Sequence, residues 1–169
     1  MPAFTPPPYR VYLLRHAHAA WPHPGERDFD RRLDDAGYAQ AEIIADRAAD
    51  KGYRPDVILS STAIRCRETA EAIRRAFNDT FDITYVDEMY NAPPETYIAL
   101  LAAQSADRSV MLVGHNPTME AVLEAFIGHA NVDAILSSGF PTAGLAVLNA
   151  APSQDGEDVA WHLVDFLSP

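Results

Sequence analysis

The stretch SVMLVGHNPTMEAVLEAFIG, Ser109 to Gly128, changes its hydrophobic period halfway along. Val110 to Val113 is a continuous apolar run, as in a strand buried on both faces, and it gives way to Gly114 and His115. Beyond Asn116 and Pro117, the residues Met119, Val122, Leu123, Phe126 and Ile127 recur three and four apart and trace one face of a helix that stops at Gly128. Asn116 suits the N-cap, and Pro117 suits the first helical position, where no backbone N–H is required. A buried strand feeding straight into an amphipathic helix is the repeating unit of an α/β fold.

Upstream the unit recurs. Val11 to Leu14 reads as a buried strand leaving into a loop around Trp21, Pro22, Pro24 and Gly25. Asp34 then caps a helix with Ala41, Ile44, Ala45 and Ala48 on one face and Gly52 as its stop. DVILSS (Asp56 to Ser61) is a second strand, after which Thr62 caps a helix striped by Cys66, Ala70, Ile73 and Phe77. FDITYV (Phe81 to Val86) is a third strand, and Pro94 starts a helix through Leu100 and Leu101. Downstream, AGLAVLN and VAWHLVDF flank the turn-rich APSQDGED and predict an antiparallel hairpin. The expected architecture is three-layer α/β/α, with a mostly parallel central sheet and a C-terminal antiparallel hairpin.

A length of 169 residues with 48% hydrophobic content suits a single domain, residues 1–169, preceded by a proline-rich irregular arm over 1–9. The net charge of -11 argues against nucleic acid and anionic membranes as partners. MPAFTPPPYR has no apolar core of a signal peptide, and no apolar run is long enough to span a bilayer. Cys66 has no second cysteine to pair with, which suits a cytoplasmic protein.

In parallel sheets, ligands bind beyond the carboxyl ends of the strands. Arg15 and His16 follow the first strand, Arg65 and Arg67 the second, Asp87 and Glu88 the third, and His115 the fourth. Arginine forks match phosphate oxygens, a neutral imidazole nitrogen attacks phosphorus, and a second imidazole stabilises the developing charge. The helix start at Asn116-Pro117 would add backbone N–H groups at the same rim. A metal centre would need three or four converging ligands. His16 and His18 supply two, no H-E-x-x-H or paired-cysteine motif supplies the rest, and Arg15 and Arg65 would repel a cation.

The segments LLRHAHA, DRRLDDAG, SSTAIRCRETA and VGHNP resemble, in order and spacing, the histidine phosphatase superfamily with its phosphoglycerate mutase-like fold. Their details are similar to its small SixA-like phosphohistidine phosphatase branch, and the resemblance runs from about Val11 to Val147. It implies a phosphatase without metal or other cofactor, in which His16 is the nucleophile, Arg15 and Arg65 bind the phosphoryl group, His115 completes the pocket and Arg31 lines its entrance. Ala17 stands where glycine is commonest in the superfamily, and alanine also occurs in the small branch. Larger relatives place an acid after the third strand, where Glu88 lies, whereas members of the small branch can lack one. Glu88 is therefore equally well read as a general acid or as a surface carboxylate. The substrate expected is a phosphohistidine protein. A small phosphate ester remains an alternative, as does a non-catalytic module that binds phosphorylated ligands.

The remaining candidates have plainer readings. Arg67 faces solvent, His18 sits in a loop or at the pocket rim, and His23, His129 and His162 are surface or structural residues. Cys66 packs on its helix stripe. Thr142 either touches the pocket or shapes a turn.

Overall fold

The computed structural model describes residues 8–152 and 159–169. The strands are β1 (Arg10–Arg15), β2 (Val57–Ser61), β3 (Asp82–Val86), β4 (Ser109–Gly114), β5 (Leu145–Pro152) and β6 (Val159–Leu167). Between them run the helices α1 (Asp35–Asp50), α2 (Ile64–Ala76), α3 (Pro94–Ala102), α4 (Thr118–Ile127) and α5 (His129–Ile135). All six strands join one sheet in the order β3-β2-β4-β1-β5-β6. β1 to β4 are parallel, while β5 runs antiparallel to β1 and to β6. The sheet is thus mostly parallel with an antiparallel C-terminal hairpin.

Strand alternation sends Tyr12 and Leu14 to one face and Val11 and Leu13 to the other, which is why β1 reads as an unbroken apolar run. The first face packs on Ala41, Ile44, Ala45 and Ala48 of α1 and on Cys66, Ala70 and Ile73 of α2. The second packs on Tyr97 and Leu101 of α3 and on Met119, Val122, Leu123 and Phe126 of α4. Neighbouring strands β1 and β4 therefore lead to helices on opposite faces, and a crevice opens between their carboxyl ends. Everything that positions the site follows from that crossing.

Several local expectations shift. Asp34 does cap α1, its carboxylate accepting from the Gly37 N–H at 2.7 Å. Thr62 does not cap α2. The N-cap position is Ala63, whose own N–H reaches the Ser61 hydroxyl at 3.3 Å. α4 starts at Thr118, with Pro117 at the N-cap and a cis Asn116-Pro117 bond. Asn116 still serves the helix end, since its side-chain oxygen accepts from the Glu120 N–H at 3.0 Å. The short helix α5, which no sequence period announced, follows where Gly128 takes φ +86° and ends α4. β5 runs on to Pro152, so the first two residues of APSQDGED are strand; residues 153–158 lie outside the described residues, as do residues 1–7 of the N-terminal arm. No helix among the described residues is long and apolar enough to cross a membrane.

Candidate active site

His16 is held by its backbone before its ring does anything. Its N–H donates to the Gly114 carbonyl at 3.0 Å, and its carbonyl accepts from the Ala143 N–H at 3.1 Å. The next amide, Ala17, donates to the Thr69 hydroxyl at 3.0 Å, and that hydroxyl donates to the Arg65 carbonyl at 2.8 Å. Thr69, the last polar residue of SSTAIRCRET, thus ties the start of α2 to the end of β1. The His16 ring places Nδ1 2.7 Å from the Ala17 carbonyl. A carbonyl only accepts, so Nδ1 carries the proton and Nε2 is left with its lone pair. Burial pushes the His16 pKa down to about 3, with the Ala17 bond opposing and His115, Arg65 and Arg15 adding to the fall. At neutral pH this is an uncharged imidazole with a fixed tautomer.

Arg15 donates from a terminal nitrogen to the Phe140 carbonyl at 2.7 Å, while its Nε is buried with no hydrogen-bond partner. Arg65, whose side chain is 8% exposed, donates to both the carbonyl and the carboxylate of Asp28, at 2.7 and 2.9 Å. His115 packs beside Arg65 and His16. Its ring centroid is 5.5 Å from that of His16, its Nδ1 is 3.4 Å from Arg65, and its Nε2 is 2.8 Å from the Ser61 hydroxyl. Burial, then the charge of Arg65, pushes the His115 pKa down to about 4. A guanidinium only donates, so Nδ1 of His115 accepts from Arg65 and Nε2 carries the proton toward the Ser61 hydroxyl. The His115 N–H donates to the Tyr97 hydroxyl at 3.1 Å, and an added Cβ at Gly114 would stand 2.3 Å from that oxygen. Only glycine admits this approach.

The structure gathers Arg15, His16, Arg65 and His115 around one cavity of about 370 Å³, with Arg31, Asn116 and Thr142 also on its wall and His18 and Trp21 at its border. Arg31 donates to the Ala20 carbonyl at 2.8 Å and to Asp28 at 2.9 Å. Two expectations need correction. Glu88 does not join the site: it is exposed and lines a separate depression with Glu95, Thr96 and Leu100 against α3. The start of α4 also offers fewer free amides than expected, because the Met119 N–H is taken by the His115 carbonyl at 2.8 Å and the Glu120 N–H by Asn116.

Arg67 is exposed, stacked over Tyr85 at 4.5 Å, and His23, His129 and His162 lie on the surface. Cys66 is buried on its stripe as expected, and it also backs the site, its Sγ 3.6 Å from His115 Nε2, with burial pushing the thiol up to about 12. Three neighbours escaped the sequence. Asp28 accepts from Tyr90, Arg31 and Arg65; partial burial alone would raise its pKa, but these partners outweigh that and hold it well below the usual carboxylate range. Tyr90 sets its ring edge-on to His115 at 5.5 Å, and Asn91 lines the cavity. They follow Glu88 by two and three positions, so the chain just beyond Glu88, not Glu88 itself, reaches the cavity.

A family model described as the histidine phosphatase superfamily (branch 1) matches residues 11–90. An uncharacterized protein of Mycobacterium leprae is 32% identical over 163 residues, 89% of this chain and 99% of the relative. Among solved structures, the "putative phosphohistidine phosphatase SixA from Agrobacterium tumefaciens" is 65% identical with a TM-score of 0.87, over 96% of this chain and 99% of that one. The protein histidine phosphatase SixA complexed with tungstate, 18% identical, shares the fold at a TM-score of 0.75 over 94% of this chain and 96% of that one. With near-complete coverage of relatives this similar, the chain belongs to the histidine phosphatase superfamily and is a phosphatase.

Proposed function

We propose that this chain is a cytoplasmic, single-domain phosphohistidine phosphatase that works through a phosphorylated His16 and needs no metal. Arg15 and Arg65, both on the cavity wall, bind the phosphoryl oxygens through their guanidinium groups. Nε2 of His16 attacks phosphorus, and the new N–P bond forms as the bond to the substrate's imidazole nitrogen breaks. His16 keeps its Nδ1 proton on the Ala17 carbonyl throughout. His115 completes the pocket: its Nδ1 accepts from Arg65 and keeps that guanidinium turned to the equatorial oxygens as charge builds on them. Water then attacks phosphorus, inorganic phosphate leaves, and His16 returns as the neutral imidazole it began as.

One observation carries the choice of substrate. Among the described residues lining the cavity there is no carboxyl group, and the nearby Asp28 is held charged by its partners. An alkoxide departs readily only with a donated proton. A phosphohistidine that already bears a proton on its other ring nitrogen departs as neutral imidazole and needs none. The similarity to the Agrobacterium tumefaciens structure supports the same reading.

The test is phosphate release from a protein phosphorylated on histidine and from a panel of alkyl phosphate esters, each with and without chelator. The expected result is a kcat/KM for phosphohistidine at least about 100-fold above that for any ester, unchanged by chelator. Preference for an ester would replace the substrate. Binding without any phosphate release would make the chain a recognition module.

A further inference from the structure

Trp21 is 86% exposed, more than any other large hydrophobic side chain among the described residues, and it stands at the border of the cavity that holds His16. It is not carried on a loose loop. The Ala20 N–H donates to the Arg32 carbonyl at 2.8 Å, the Asp34 N–H to the His18 carbonyl at 3.2 Å, and Arg31 to the Ala20 carbonyl at 2.8 Å, with Ala19 bridged to Leu33. Gly37 seals the base of this ribbon, because a Cβ there would lie 1.9 Å from the His18 carbonyl oxygen. An indole held out into water by a braced ribbon exposes apolar area that the fold itself does not use.

Resting on the phosphohistidine reading above, we infer that Trp21 is a docking contact for the polypeptide that carries the phosphohistidine. Size decides between occupants. A free phosphorylated amino acid fits within the cavity of about 370 Å³ and would leave most of the projecting indole in water. A protein surface brought to the mouth by its phosphohistidine covers the ring, and tryptophans so placed dominate interface energetics. Charge agrees. The chain carries -11 overall, yet the cavity wall presents Arg15, Arg31 and Arg65 and, among the described residues, no carboxylate, so the site is locally positive on an otherwise acidic molecule. A phosphorylated partner meets less repulsion there than elsewhere.

The experiment compares two substrates with the same leaving group: a protein phosphorylated on histidine, and the free amino acid phosphohistidine. Each is assayed with wild type, Trp21→Ala and Trp21→Phe. The inference predicts that Trp21→Ala raises KM for the phosphoprotein about tenfold or more at little change in kcat, that Trp21→Phe recovers part of the loss, and that both variants hydrolyse free phosphohistidine within about threefold of wild type. Equal losses on the two substrates would place Trp21 against the imidazole and overturn docking, and no loss on either would overturn it as well. Wild type that hydrolyses neither substrate would instead sink the phosphohistidine reading, and this inference with it.

Discussion

At the end of β1, Arg15 and His16 follow four buried residues; at the end of β3, Asp87 and Glu88 follow a strand whose residues are all exposed or half-buried. In sequence the two look alike, each a short apolar run closing on charged or titratable side chains. In the sheet they differ by position. β1 sits between β4 and β5, and its last residues are gripped by Gly114, Ala143 and Gly144. β3 is an edge strand three places away, roughly 14 Å at the usual spacing. Ends of central strands converge on one crevice, whereas a residue leaving the edge strand reaches it only if the chain turns back. Here Tyr90 and Asn91 make that return, and Glu88 does not.

The comparison would be broken by mutants that respond alike at both ends. Arg15→Ala and Arg65→Ala are each expected to lower kcat/KM by about 30-fold or more, the loss of a charge-assisted fork worth about 2 kcal/mol. Arg65→Ala should be the more severe, because it also removes one of the three partners, with Arg31 and Tyr90, that hold Asp28 beside the site. Arg67→Ala, two residues on but exposed over Tyr85, should stay within about twofold. Equal losses at Arg65 and Arg67 would mean that the wrong face of α2 has been assigned to the cavity.

Acid sharpens the contrast, since the β1 and β4 ends carry the two histidines whose pKa values fall on folding. The unfolded chain binds protons at about 6.5, whereas His16 and His115 resist them down to about 3 and about 4. Between those limits the unfolded state holds more protons, so stability rises with pH. Their contribution is complete above about pH 6.5 and is lost as pH falls toward 3. Denaturant midpoints measured from pH 7 to pH 4 should therefore decline less in a His16→Ala, His115→Ala double mutant than in wild type. Parallel declines would show that the two rings are not the buried neutral groups described here.

The smallest effect belongs to the edge. Glu88→Gln should leave hydrolysis of phosphohistidine and of alkyl esters within about twofold, as for a surface substitution away from the site. A selective loss on esters of about 100-fold would restore Glu88 as a general acid.

What could be read in the sequence, and what could not, divides along the same line. Strand and helix periods are local, so the layers, the faces of α1 and α4 and the cap at Asp34 were all visible in the order of residues. Arg15, His16, Arg65 and His115 were legible because each lies within four residues of the end of β1, β2 or β4. The strand order was not, and without it all four strand ends count equally, the β3 end with Glu88 included. Asp28 was hidden for a similar reason, since its partners Arg65 and Tyr90 stand 37 and 62 positions away. The shifted helix starts at Ile64 and Thr118 reflect competition among adjacent polar residues, with Ser61 accepting from the Ala63 N–H and Asn116 acting from one position further out.

The account stands on His16 Nε2 as the atom that takes the phosphoryl group. The direct measurement is to mix the enzyme with a protein radiolabelled on phosphohistidine, quench in alkali within the first turnovers, and map the label by residue and by ring nitrogen. The prediction is acid-labile, base-stable phosphate on Nε2 of His16, absent from His16→Ala. Label on Nδ1 would contradict the tautomer fixed by the Ala17 carbonyl, and label on another residue, or steady turnover by folded His16→Ala, would contradict the nucleophile itself.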